Sequence, residues 1–224
     1  MAEAVPAFRG WTGDFQGFFL GLRIDNSKPY FDSHRRQYEC EVKGPMLALL
    51  AELESEFGAA RVSRPNRDIR FSPDKTPYKT NIYGSSEGGY VALDAEGLRV
   101  AAGRYHLDRD CLERFRSAVA ADGSGSQLAA LVNQLRASGY EIDEPVLKRV
   151  PAPYPKDHPR EELLRHKRLI YWRQWEVGPW IATAGARARV ERTWREGAAL
   201  MRWFHREVGP DGARAGETAK KPPG

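Results

Sequence analysis

Cysteine is almost missing from this chain: there are two in 224 residues, Cys40 and Cys111, far apart and outside any CxxC pair. That scarcity excludes a disulfide framework and a cysteine zinc site, and it fits a reducing, cytoplasmic setting. Long apolar runs are missing too. No stretch approaches about 18 uninterrupted apolar residues, and Met1 to Arg9 lacks the basic segment and apolar run of a secretion signal. The expectation is a protein that neither spans a membrane nor is exported. HExxH, Walker A, EF-hand and GxGxxG patterns do not occur. His158 and His166 would stand about 12 Å apart along a single straight helix, too far to share an ion. Metal and P-loop chemistry are unsupported, and no particular cofactor is implied.

What is present has an ordinary globular balance, 41% hydrophobic and 29% charged. The length suits one compact domain, placed at residues 8–208, with a disordered tail rich in glycine, proline, alanine and lysine over 209–224. The formal charge of +5 is compatible with polyanionic partners but modest for a dedicated nucleic-acid binder.

Helical spacing marks Phe15, Phe18, Phe19 and Leu22 after a Thr12 cap. A second helix opens near Pro29 and runs through Tyr38 and Val42, with a kink or break at Pro45 before Met46 to Phe57 continues. Short extended runs follow at Arg67 to Ser72, Tyr78 to Tyr83, Gly89 to Leu93 and Leu98 to Gly103, the last two joined as a hairpin through Asp94 to Gly97. Asp108 caps a further helix, and the Gly123 to Ser126 turn precedes another through Leu135. Pro151 to Pro155 reads as a rigid loop, and a helix begins at Asp157-His158-Pro159. Val190, Trp194, Gly197, Met201 and Phe204 form the core stripe of one final helix. The fold class is therefore α+β, an antiparallel sheet with its hairpin near 89–103 packed against several helices.

Gly84-Ser85-Ser86-Glu87-Gly88 matches GxSxG, the pattern that lifts a nucleophilic serine on a strand-to-helix turn. A strand rather than a helix follows, so Ser86 is not expected to be a nucleophile.

The most informative run is Arg64 to Asn81. Between Arg64 and Lys79 five bases (Arg64, Arg67, Arg70, Lys75, Lys79) face two acids (Asp68, Asp74), a local excess of +3. If Arg67 to Ser72 is a strand, Arg67 shares an apolar face with Ile69 and Phe71 and needs a partner, because a desolvated guanidinium is tolerated only when paired. Arginine forks hold carboxylate or phosphate bidentately, lysines add point charges, Tyr78 adds a hydroxyl, and Asn81 can orient either kind of partner.

The pattern Arg64-x-x-Arg67-Asp68-x-Arg70-Phe71-x-x-Asp74-Lys75-x-x-Tyr78-Lys79-x-Asn81 resembles the hallmark of a bacterial family, the domain of unknown function 2461. Asn26-x-x-x-Tyr30-Phe31-Asp32-x-His34 and Tyr154-x-x-Asp157-His158-Pro159 are similar to further pieces of it. The likeness extends over roughly Phe15 to Phe204. That family commonly has tryptophan where Tyr30 stands, so a hydroxyl is added here. The resemblance implies a fold of about this size and supplies no reaction.

Three readings of the run stay open. It binds a small phosphate- or carboxylate-bearing ligand through Arg64, Arg67, Asp68, Arg70, Asp74, Lys75, Tyr78, Lys79 and Asn81, and the sequence leaves open whether Arg35, Lys148 and Lys167 join them. Alternatively it is an ion-pair network that fixes structure. The third reading is a weak nucleic-acid module with Trp172, Trp175 and Trp180 as stacking platforms. For an enzyme, Asp68 and His158 are the proton-transfer candidates.

Overall fold

The computed structural model describes residues 7–70 and 72–210. In chain order the elements are α1 (Phe15–Ile24), α2 (Lys28–Ser33), α3 (Arg35–Gln37), a π-helical turn (Tyr38–Lys43) and α4 (Gly44–Phe57). Then come β1 (Arg61–Val62), β2 (Asn81–Ser86), β3 (Gly89–Asp94), β4 (Gly97–Arg104), α5 (Arg109–Ala120) and α6 (Asp122–Ala137). The chain closes with β5 (Glu141–Ile142), α7 (Glu161–Leu164), β6 (Leu169–Glu176), a 3-10 turn (Pro179–Ala182), α8 (Gly185–Glu196) and α9 (Ala198–Glu207). The strands form one antiparallel sheet in the order β1-β2-β3-β4-β6-β5, and the fold is α+β. By internal contacts the chain divides into two compact units, residues up to Ala101 with Arg173–Arg195, and Ala102–Trp172 with residues from Glu196 onward. The tail expected over 209–224 lies almost wholly outside the described residues.

In the first unit α1 is capped by Asp14 rather than Thr12: the Gly17 N–H donates to the Asp14 carboxylate at 2.8 Å, a carboxylate being a stronger acceptor for orphan helix amides. The break expected at Pro45 is a π turn. Proline supplies no N–H, the ladder ahead of it widens so that Gly44 N–H reaches the Glu39 carbonyl, and the buried Trp11 indole donates to the Val42 carbonyl at 3.2 Å. The 89–103 hairpin forms as expected, with Leu93 opposite Leu98 and a turn of only Ala95-Glu96. Asp94 tightens that turn by accepting from Glu96 N at 2.9 Å and Gly97 N at 3.1 Å.

Alternation sorts the two faces of this sheet. Ile82, Gly84, Val91, Leu93, Leu98 and Val100 are buried on one, where bare Gly84 makes room for Leu50 of α4. α8 is tied to α4 by Arg187 to Glu52 at 2.9 Å, Arg195 to Glu56 at 2.6 Å and an edge-on Phe57–Trp194 contact. The opposite face of β2 carries Asn81, Tyr83 and Ser85, all half-exposed.

In the second unit the carboxylate of Asp108 caps α5 at Cys111 N, 2.8 Å. The other end of α5 is held by Arg160, whose guanidinium, 10% exposed, donates to the carbonyls of Val119 at 2.7 Å and Ala120 at 2.9 Å. Residues 123–126 are not a turn but the first part of α6. Gly125 is what allows this, since a Cβ there would strike the Val119 carbonyl and Arg160. The final stripe is not one helix: the chain breaks at Gly197, where a Cβ would enter the Tyr171 ring, so α8 and α9 are separate. The helix expected from Asp157 is only the short α7. His158 Nδ1 takes the Arg160 N–H at 3.0 Å, which ends the preceding turn before a helix can start.

Candidate functional site

The run from Arg64 to Thr80 is an excursion between β1 and β2 rather than a strand. Its rims are joined by Arg67 N to the Pro77 carbonyl at 2.8 Å and Lys79 N to the Pro65 carbonyl at 2.9 Å, with one bridge between Asn66 and Tyr78. Among the described residues the strand expected over Arg67 to Ser72 does not form, and the next begins at Asn81 instead of Tyr78. Pro65, Pro73 and Pro77 cannot donate to a ladder, and two aspartates bend the chain onto themselves. Asp68 accepts from Arg70 N at 3.3 Å and Asp74 from Thr76 N at 2.9 Å. The alternation that would place Arg67 beside Ile69 and Phe71 therefore does not apply, and Phe71 itself lies outside the described residues.

A second segment anchors the loop. The Asn26 amide donates to the Tyr78 carbonyl at 3.1 Å and accepts from Tyr78 N at 2.8 Å. Phe31 lies flat on the Tyr78 ring, centroids 4.2 Å apart and planes 3° from parallel, and Arg35 stacks on Phe31 at 5.2 Å. Tyr78 is 6% exposed, its main chain held by Asn26 and its ring by Phe31. Tyr30 uses its hydroxyl on the Phe18 carbonyl at 3.2 Å and stacks on His34 at 4.1 Å, and it forces Gly21 opposite.

The ionised groups fall into three sets. Arg70 forks onto Asp68 through Nε at 3.0 Å and Nη2 at 2.7 Å; both side chains are well exposed, 76% and 42%. The Arg70 guanidinium first, and its N–H second, hold the Asp68 carboxyl down to about 2. A carboxyl so acidic is a weak proton acceptor. Arg67 forms the second set: it bonds to Asp74 and Thr76, and reaches Ser72 at 3.5 Å. The Thr76 N–H, followed by Arg67, draws Asp74 down to about 2.

Lys79 belongs to the third set. Its ammonium donates to the carbonyls of Arg64 and of Asn66, the latter at 2.8 Å, and stands over the Tyr83 ring at 5.7 Å. Partial burial first, then the charges of Arg64 and Arg67, lower it to about 8. Arg64 is exposed, makes no side-chain hydrogen bond among the described residues, and acts electrostatically on Asp68, Lys79 and Tyr83. The fold thus brings Arg64, Arg67 and Lys79 together with Tyr83, a residue the sequence reading left out although it follows Asn81 by two on the same strand face. Lys75 is turned to the Ile69 carbonyl at 3.0 Å. Asn81 opens β2 opposite Asp94. His158, Lys148 and Lys167 belong to the other compact unit.

Ser86 ends β2 and its hydroxyl accepts from Gly88 N at 3.2 Å in the turn to β3. No helix follows to aim an oxyanion hole. Among the described residues no three His, Cys, Asp or Glu gather as a metal site, and no helix is long and apolar enough to cross a membrane.

No curated protein and no solved structure matches the chain. A family model does, over residues 14–203, taking in the Asn26 to His34 segment, the whole excursion and the Tyr154 to Pro159 piece. Since it covers most of the sequence, the chain belongs to the family described as conserved hypothetical protein, DUF2461.

Proposed function

We propose that the Arg64 to Asn81 loop seats the phosphate or carboxylate group of a small ligand, with Arg64 and Lys79 as contacting cations and Arg67 beside them. One observation carries the reading. Both acids of the loop are engaged by Arg70 and Arg67, whereas among the described residues half-buried Lys79 meets main-chain carbonyls and the Tyr83 ring but no carboxylate, and lies in the field of two arginines. An anion placed there offsets that repulsion and favours the lysine's charged form.

A second reading has its own support. The bonds from Arg67 to Asp74, Thr76 and Ser72 brace the loop, which makes the ion pairs a structural network with no ligand. Thermal shift with inorganic phosphate separates the two. A bound anion stabilises the fold by about 2.7 kcal/mol at a hundredfold excess over Kd. Arg64→Gln should abolish the shift and leave stability within about 0.5 kcal/mol, as expected of an exposed side chain outside any network. A wild type indifferent to phosphate, with Arg67→Gln destabilised, leaves the network reading alone.

A further inference from the structure

Beside the loop, β2 continues with a row of polar side chains. Asn81, Tyr83 and Ser85 alternate along β2 onto one face, about 7 Å between successive positions, and all three are half-exposed. The register sets them opposite Asp94, Ala92 and Tyr90 of β3, and Ala92 opposite Arg99 of β4. Next to Ala92 the Tyr83 ring leans on the ring of Tyr90, centroids 5.2 Å apart, and Arg99 forks onto Gln174 at 2.9 and 2.7 Å. The opposite face of the same strands is apolar, with Leu50 of α4 packed at Gly84; on this face Tyr90 and Ala92 of β3 are buried, and the row along β2 stays half-exposed. An amide, a phenol and a hydroxyl spaced along one strand suit a ligand with several hydroxyls in a row, and an aromatic ring among them suits the C–H face of a sugar. An acyl chain would leave those polar groups unpaired.

We propose that the ligand is a phosphorylated sugar or polyol, its phosphate at Arg64 and Lys79 and its hydroxyls along Asn81, Tyr83 and Ser85. This rests on the anion seat described above. Lys79 links the two, since its ammonium stands over the ring of Tyr83 at 5.7 Å. Two hydrogen bonds beyond the phosphate are worth about tenfold in affinity.

The test compares inorganic phosphate, glucose 6-phosphate and butyl phosphate by isothermal titration against wild type, Tyr83→Ala, Ser85→Ala and Arg64→Gln. Glucose 6-phosphate should bind about tenfold tighter than phosphate and butyl phosphate no tighter than phosphate; Ser85→Ala should narrow the sugar advantage while phosphate binding is retained, and Tyr83→Ala should narrow the ratio of the two affinities. Arg64→Gln should weaken all three ligands alike. Equal affinity for the three ligands, or a preference for butyl phosphate, overturns the sugar proposal and leaves the anion seat standing. Failure of every ligand to bind overturns both. If Tyr83→Ala fails to fold, Tyr83→Phe and Ser85→Ala carry the comparison, and an undiminished sugar preference in both refutes the assignment.

Discussion

Asn26 holds the backbone of Tyr78 from both sides, its amide oxygen taking the N–H at 2.8 Å and its amide nitrogen giving to the carbonyl at 3.1 Å. The side chain thereby mimics a neighbouring strand at a place where the real ladder is a single bridge. Asn26→Leu leaves both main-chain groups unpaired and should cost about 1–3 kcal/mol in a denaturant titration. Limited proteolysis between Arg64 and Lys79 should accelerate in that variant. Unchanged cleavage would mean that Phe31 alone anchors the loop.

Lys79 makes anion binding depend on pH in a defined direction. With its proton released near pH 8, sulfate affinity should fall as pH rises from 7 to 9.5, sulfate itself keeping its charge throughout. Lys79→Arg, always protonated, should bind with little pH dependence. For the ligand-free fold the sign is opposite. Lys79 is lowered from 10.5, so between about pH 8 and 10.5 the unfolded chain holds more protons, and this group's contribution to stability rises with pH. Comparing the pH slopes of wild type and Lys79→Met isolates it.

Asp68 and Asp74 govern the acid limb. Both are held down to about 2 when folded, so their contribution to stability is complete above the ordinary carboxyl range and is lost as pH falls from about 4 to 2. Carboxyl NMR should find both ionised at pH 3. Arg70→Gln should return Asp68 towards its ordinary value. Asp74 should stay low in Arg67→Gln, because the Thr76 N–H is its largest stabiliser. Since the Arg70–Asp68 pair is exposed, Arg70→Gln should leave global stability nearly unchanged.

Half-buried Arg160 offers a test of the second unit. Arg160→Met strips donors from the carbonyls at the end of α5, and a loss of about 2–4 kcal/mol in unfolding free energy is expected from urea titration. A neutral result would show that water replaces the guanidinium there.

Sequence by itself determined the elements whose periodicity answers to one buried face: the stripe from Phe15 to Leu22, the hairpin of β3 and β4, and the α+β class. It also located the charged run between β1 and β2, because composition needs no geometry. Tertiary structure alone decided the conformation of that run. Prolines and aspartates overrode its strand-like residues, and the partners of Tyr78 come from Asn26 and Phe31, some fifty residues away in the chain. Likewise the helix breaks at Gly197 because of Tyr171, and Gly125 lies within a helix because of Arg160. A glycine in sequence signals freedom or close approach alike, and only the atom that would occupy the place of its missing side chain tells which.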